Sequence, residues 1–341
     1  MNLRAMIGPR PAVRIVFAAV FPAICLCAFG MCVGAAPSPD DAALQSARSQ
    51  FEAGNYSAAV ATLKTVVSQE PMNAEACYWL GRAYYELRDY DNAIAQGEKS
   101  VSIDPKNSLY HQWLGQEYGG AADRDRSFSD AKKVKKEFQD AVSLNPMNIT
   151  ARRNLEQYDL DAPWIVGGNK DEAMEMVNAI AAMDPIQGHL ARGAYFRGTK
   201  KMDQAESEYR MVLAATSAPI EAYFEVAEFF QRQNAPADMS SAIQAAAKIA
   251  PNDPRLAFYR GVDGVLAQTD LPGAEQNLKS YLANTPDRSD WPTHAGAREW
   301  LGRLYESQGK NGEAAEQYRA ALQIDPTLKS AKTRLEKLGK N

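Results

Sequence analysis

Apolar residues in this chain recur at helical spacing in short blocks, and one block returns along the sequence. Trp79-Leu80-Gly81-Arg82-Ala83-Tyr84 comes back 34 positions on as Trp113-Leu114-Gly115-Gln116-Glu117-Tyr118, and again as Trp300-Leu301-Gly302-Arg303-Leu304-Tyr305. Leu80 and Tyr84 stand one helical turn apart, and Gly81 beside them leaves room for a close backbone. Downstream, Ala93, Gly97 and Ser100 recur at i, i+4 and i+7, which gives a second helix a face of small residues. The pattern predicts two helices per unit, packed large against small. A fixed period of this size marks a repeat architecture. One hairpin cannot bury both of its faces, so stability comes from stacking on neighbours.

Prolines punctuate the repeats. Pro71, Pro105, Pro146, Pro185, Pro251, Pro286 and Pro326 are each expected to close a unit, since proline lacks the amide donor and restricts the residue before it. Successive gaps are 34, 41, 39, 66, 35 and 40 residues; the 66-residue gap holds two units, with Ser217 to Pro219 at its middle. About eight units then fill residues 40–326. Units three, four and eight are the longest, so extended inter-helix loops are expected there, with Gly119-Gly120 and Gly167-Gly168 between helices. Beyond them Leu328, Ala331, Leu335 and Leu338 form one apolar stripe, while Lys329, Lys332, Arg334 and Lys337 face water. Residues 327–341 are therefore expected to be a helix that seals the last unit, its late lysines suiting the negative end of the helix dipole.

After Trp79 the unit continues through Tyr90, Ala93 and Asp104-Pro105; after Trp300 it continues through Gly309, Ala314, Tyr318, Ala321 and Asp325-Pro326. Together these residues resemble the tetratricopeptide repeat. The resemblance implies an all-α, right-handed solenoid of helix-turn-helix repeats that holds a protein or peptide partner in a concave groove lined by first helices. The Trp-Leu-Gly-x-x-Tyr residues themselves are expected in the core. Carried onto this chain, the groove positions are Tyr78, Arg82 and Tyr85 in unit two, Gln112 and Gln116 in unit three, and Arg197 in unit five. Unit six offers Phe224, Glu228 and Gln231; unit eight offers Glu299, Arg303 and Glu306. Tyr78, Arg82 and Tyr85 share one helix face, and Tyr and Arg are the residue types that most often dominate binding energy. Family members that grip chaperone C-terminal carboxylates use Lys and Asn at places held here by Leu44, Arg48, Trp79, Leu109 and Trp113, which argues against that clamp. Trp164, in the Pro/Gly-flanked segment 161–170, is a second candidate contact; the alternative is that it folds back and caps its own hairpin.

Charge changes the picture at the N-terminus. Arg4, Arg10 and Arg14 precede an uncharged run from Ile15 to Ala36, and Val33-Gly34-Ala35 fits a small-residue cleavage site. This is the layout of a secretory signal over residues 1–35, cut after Ala35. The rival is an uncleaved membrane anchor through residues 15–36, since a span needs only about 20 residues. Either way the repeats are expected outside the cytoplasm, periplasmic or secreted. Cys25, Cys27 and Cys32 lie in the leader without a lipid-attachment pattern, so Cys77 alone remains, as a buried thiol with no internal disulfide partner. Losing a leader with three arginines and no acid takes the net charge from −4 to −7. Such a surface repels nucleic acid, and the basic stripe of a binder is missing. Lys132, Lys133, Lys135 and Lys136 cluster, but Asp130, Glu137 and Asp140 interleave with them, so a solvated helix face is expected.

Catalytic chemistry finds little purchase. His111, His189 and His294 fall in different units, and no metal set is expected of them; His111 reads as a helix-surface residue. There is no nucleophile elbow, phosphate loop or zincin motif, so neither a metal nor another cofactor is expected. Pairs such as Asp159/Asp161 and Asp123/Asp125 are unremarkable in a chain with 42 acids, and the sequons at Asn55 and Asn148 carry no weight. The reading is a non-catalytic binding scaffold of the cell envelope, acting in assembly or recruitment. The alternative is a fixed structural subunit of a membrane-associated envelope complex, with oligomeric state open.

Overall fold

The computed structural model describes residues 39–339; the leader lies outside them. Seventeen α-helices follow one another with no strand among these residues, and the first sixteen pair into eight hairpins. The hairpins are α1 (Pro39–Glu52) with α2 (Tyr56–Gln69), α3 (Ala74–Glu86) with α4 (Tyr90–Ile103), and α5 (Ser108–Asp125) with α6 (Phe128–Leu144). They continue as α7 (Ile149–Asp161) with α8 (Lys170–Met183), α9 (Pro185–Gly198) with α10 (Met202–Ala214), and α11 (Ile220–Arg232) with α12 (Pro236–Ile249). The last two are α13 (Arg255–Ala267) with α14 (Leu271–Asn284), and α15 (His294–Ser307) with α16 (Asn311–Ile324); α17 (Lys329–Leu338) closes the array. Each helix packs on the next, and odd-numbered helices also meet odd-numbered neighbours, as α7 meets α9 and α13 meets α15.

The repeated motif builds the core. Trp79, Trp113 and Trp300 are all buried, as are Leu80, Leu114 and Leu301. The motif glycine clears space for a close neighbour: Glu117 of the next repeat and the α4 backbone at Gly81, and a ring of the paired helix at the other two copies. A Cβ at Gly115 would lie 2.5 Å from the Phe138 ring, and one at Gly302 would lie 2.5 Å from the Tyr318 ring. Gly193 faces Tyr209 and Gly261 faces Leu278 in the same way. On α4 the small face of Ala93, Gly97 and Ser100 is buried, and Leu114 Cδ1 of α5 stands 3.0 Å from where a Gly97 Cβ would be.

Turns follow two rules. Within seven of the hairpins a residue takes the left-handed conformation with φ between 54° and 77°, at Gly54, Arg88, Arg126, Lys200, Asn234, Gln268 and Gly309. The α13–α14 turn adds Asp270 at φ 42°, and the α7–α8 turn uses Gly167 at φ 101°. Between hairpins, Pro71, Pro105, Pro146, Pro251 and Pro326 stand in the turns after second helices, and Asn73, Asn107 and Asn148 cap the helices that follow. Pro185 corrects the pattern. It is the first residue of α9, where its missing N–H costs nothing, and Asp184 both ends α8 and caps α9 by accepting from the Gln187 amide.

The long units differ from expectation in where they put their extra residues. Unit three lengthens its helices, so Gly119 and Gly120 lie inside α5 rather than between helices; a Cβ at Gly120 would strike the Tyr90 ring at 2.4 Å. Unit four does extend its loop, through residues 162–169. Unit eight keeps a short turn, and its extra length precedes it as segment 285–293. The closing helix behaves as a cap: Ala331 is buried, and Leu328, Leu335 and Leu338 pack against the last core. Arg334 does not face water freely but pairs with Glu306 at 2.9 Å.

Candidate partner-binding wall

Contacts between successive odd-numbered helices decide which groove positions stay open. Tyr78 and Arg82 are each 6% exposed, which corrects the expectation that they offer free side chains to a groove. Arg82 is the centre of an aromatic box. Its guanidinium carbon lies 4.1 Å from the Trp113 ring centre, 4.5 Å from Phe51 and 4.6 Å from Trp79, and its Nη1 donates to Tyr78 Oη at 3.3 Å. Desolvated cation–π contacts of this kind are worth about 2 kcal/mol, so Arg82 holds α1, α3 and α5 together. Tyr85 is half-buried between Tyr90 and Trp113, and burial pushes its phenol up.

Other predicted positions are absorbed in the same way. Gln112 is buried and accepts from Asn148 Nδ2 at 3.0 Å, tying α5 to the cap of α7. Phe224 is buried, stacked on Tyr259 at 4.8 Å beneath the Arg255 guanidinium. In unit eight, Glu299 accepts from Ser330 Oγ and Glu306 pairs with Arg334, so the closing helix covers them; Arg303 lies over Trp300 at 3.5 Å. Gln116, Arg197, Glu228 and Gln231 remain part-exposed.

Units four to six present something the sequence did not single out. Arg153 of α7 reaches past α9 to Glu225 of α11 at 2.8 Å, and its Nε lies 3.5 Å from Glu156 Oε2. Glu156 is 1% exposed, and burial, aided by Glu225 and Asp161, lifts its pKa to about 8 against the pull of Arg153. Glu228 accepts from Tyr259 Oη at 3.0 Å, and burial raises it too. Several polar atoms on this wall have no hydrogen-bond partner: Arg153 Nη1, Glu156 Oε1, Gln187 Oε1 and Gln231 Oε1. Gln187 is 3% exposed. Native interiors leave few such groups unmade.

Trp164 is 84% exposed and does not fold back on its hairpin. It stands at the start of a 3₁₀ turn, Trp164–Val166, that is firmly held. Tyr158 Oη donates to the Val166 carbonyl at 2.8 Å, and Lys135 Nζ donates to the Gly167 carbonyl at 2.6 Å. Gly167 has φ +101°, and a Cβ on Gly168 would strike the Ala162 carbonyl. Lys135 therefore departs from the solvated face expected of the lysine cluster: it bridges Asp159 at 2.9 Å and Glu172 at 2.7 Å. Lys132, Lys133 and Lys136 are exposed as expected.

His111 is also corrected: it is 7% exposed, not a surface residue. Its Nδ1 lies 2.7 Å from Glu137 Oε2 and its Nε2 lies 3.1 Å from the Pro105 carbonyl. The fold brings His111, Glu137 and Asp140 together, although nothing in their spacing across α5 and α6 announces it. Lys136 Nζ already stands there, 2.7 Å from Asp140 and 3.4 Å from Glu137, so the cluster is an ion-pair network between two helices. Cys77 is fully buried, and burial pushes its thiol up. Among the described residues no helix is long and apolar enough to cross a membrane.

Stacked helical hairpins with a cap define an all-α repeat solenoid. The sequence profile of the tetratricopeptide repeat matches residues 44–108 and 259–328, the first two and last two hairpins. These two matches support the tetratricopeptide-repeat resemblance at both ends of the array. Among solved structures it is similar to a tetratricopeptide repeat protein from Parabacteroides merdae, at 13% identity over 89% of this chain and 99% of that one, with a TM-score of 0.52. It is also similar to a thermophilic repeat protein of Thermus thermophilus, at 18% identity over 56% of this chain and 98% of that one, with a TM-score of 0.45. At 13% identity the likeness to the Parabacteroides merdae protein concerns the fold alone. No curated protein matches this chain. Proteins of this family are in general non-catalytic scaffolds, and their repeats in general mediate binding to protein partners.

Proposed function

We propose that this protein is a non-catalytic scaffold of the cell envelope that holds a protein or peptide segment against the odd-numbered helices of repeats three to six. The observation that carries this reading is the row of part-exposed polar side chains along this wall, Gln116, Arg197, Glu228 and Gln231, beside the Arg153–Glu225 pair. An extended peptide supplies donors and acceptors in alternation along its backbone, which suits a wall that offers both. Relative to the sequence expectation, the centre of binding moves from unit two to units four to six, with Gln116 at its edge and Trp164 as an accessory contact. Export rests on the leader of residues 1–35 with its three arginines and small-residue cleavage site. Assembly or recruitment in the envelope is the role that fits an exported scaffold.

The test is capture of partners from envelope extract by the mature chain from Ala36 onward, with helicity checked by circular dichroism. A partner held by the wild type is expected to be lost in Arg197→Ala/Gln231→Ala, with affinity falling by on the order of 2 kcal/mol for a good anchor. Retention by that variant, with loss in Trp164→Ala, would move the site to the unit-four turn. N-terminal sequencing of the exported protein is expected to begin at Ala36.

A further inference from the structure

The junction between the seventh and eighth hairpins touches the start of the array. Segment 285–293, between α14 and α15, reaches back to the first two hairpins. Arg288 Nη1 lies 3.4 Å from Glu52 Oε2, and the Ser289 amide and hydroxyl both donate to the Glu86 carboxylate, at 3.0 and 2.7 Å. Pro286 closes on the α1–α2 turn so tightly that a Cβ on Gly54 would lie 2.2 Å from Pro286 Cβ. Residues 203 and 236 positions apart are thus in direct contact.

The reaching segment is shaped before it docks. His294 donates its amide to Asp287, Tyr281 Oη donates to the Pro292 carbonyl at 2.6 Å, and Arg288 makes a two-bond pairing with Asp290 at 2.8 and 2.9 Å. Trp291 sits between the Arg255 and Arg288 guanidiniums, 5.6 and 5.1 Å from its ring. Arg288 is only 6% exposed, so its charge is met by Asp290 and Glu52 rather than by water. On the receiving side, burial raises the Glu86 carboxyl while the two Ser289 donors lower it. Charge-assisted bonds of this kind are roughly twice as strong as neutral ones. The contact is small, a few bonds and one proline, against the continuous packing that joins each repeat to the next.

We propose that segment 286–290 is a latch that closes the solenoid into a ring, and that the ring opens at this point when a partner enters or leaves the inner wall. The backbone is continuous everywhere else, so the latch is where the ring can part without breaking a repeat interface. A repeat array flexes by small summed rotations, and a few side-chain bonds suffice to hold this junction to the first hairpins because closure is intramolecular. The purpose assigned to the latch rests on the partner-binding wall proposed above; the closure itself does not.

Opening can be read without any partner, by small-angle X-ray scattering and amide hydrogen exchange on the mature chain. Arg288→Ala/Ser289→Ala removes the donors, and Glu52→Ala/Glu86→Ala removes the acceptors from the other side. Both variants are expected to keep wild-type helicity, gain radius of gyration and maximum dimension, and exchange roughly tenfold faster or more over 52–56 and 286–290. A wild type already extended in solution would overturn the latch. So would variants that scatter and exchange as the wild type does, or opening from one side only. None of these failures would touch the partner-binding reading, which has its own capture test.

Discussion

Arg82 and Glu156 illustrate two fates of a charged residue on a first helix. Arg82 is dissolved in aromatic rings and holds three helices, so truncating it would be read as lost binding when the core had loosened. Its i, i+4, i+7 spacing with Tyr78 and Tyr85 is visible in the sequence, but the ring of Trp113 that covers it belongs to the next repeat. Spacing within one helix reports a face, not what the neighbouring repeat lays over it. Glu156 is buried beside Arg153, and burial lifts it to about 8 from a usual carboxylate value of 4.5. Between those two values the folded chain keeps a proton that the unfolded chain gives up, so this group's stabilisation falls as pH rises through the window and levels off above about 8. Glu156→Gln is therefore expected to raise the melting temperature at pH 9, by on the order of a few kcal/mol of stability. The gain should vanish near pH 4.5. Equal effects at both pH values would mean the carboxyl is not held protonated. Arg153 keeps Glu225 as its ion-pair partner in that variant.

At the scale of the element, the motif glycine is the position where sequence and packing agree most closely. Trp-Leu-Gly-x-x-Tyr announces a helix whose glycine admits a close neighbour: Glu117 at Gly81, and a ring in the other copies, Phe138 at Gly115 and Tyr318 at Gly302. Gly312 lies one helix away with nothing within 4 Å of its missing Cβ. One substitution at the two sites should then act in opposite directions. Gly302→Ala is expected to destabilise by about 1–3 kcal/mol through overpacking against a fully buried ring. Gly312→Ala should stabilise by roughly 0.5 kcal/mol from helix propensity. Chemical denaturation measures both, and a shared sign would contradict the packing account. Loop lengths were harder to read. The excess of unit three went into longer helices because Ala121, Ala122 and Val134 extend its buried face. The excess of unit eight went into segment 285–293, whose contacts lie over 200 positions away and leave no local pattern.

For the whole molecule, eight hairpins and a cap make an array whose junction between hairpins seven and eight meets its first two hairpins, and its inner wall in units four to six is polar and partly buried. The number of repeats, the cap and the buried motif residues could be read from the chain because each follows from periodicity within one repeat. The ring closure and the polar wall could not, since both arise from the curvature that repeats adopt only when stacked. The most direct measurement is hydrogen exchange on the mature chain with and without a captured partner. Protection is expected on Ile149–Asp161, Pro185–Gly198 and Ile220–Arg232, the odd-numbered helices of units four to six. Protection confined to the even-numbered helices Lys170–Met183, Met202–Ala214 and Pro236–Ile249 would contradict the account and place the partner on the opposite face of the array.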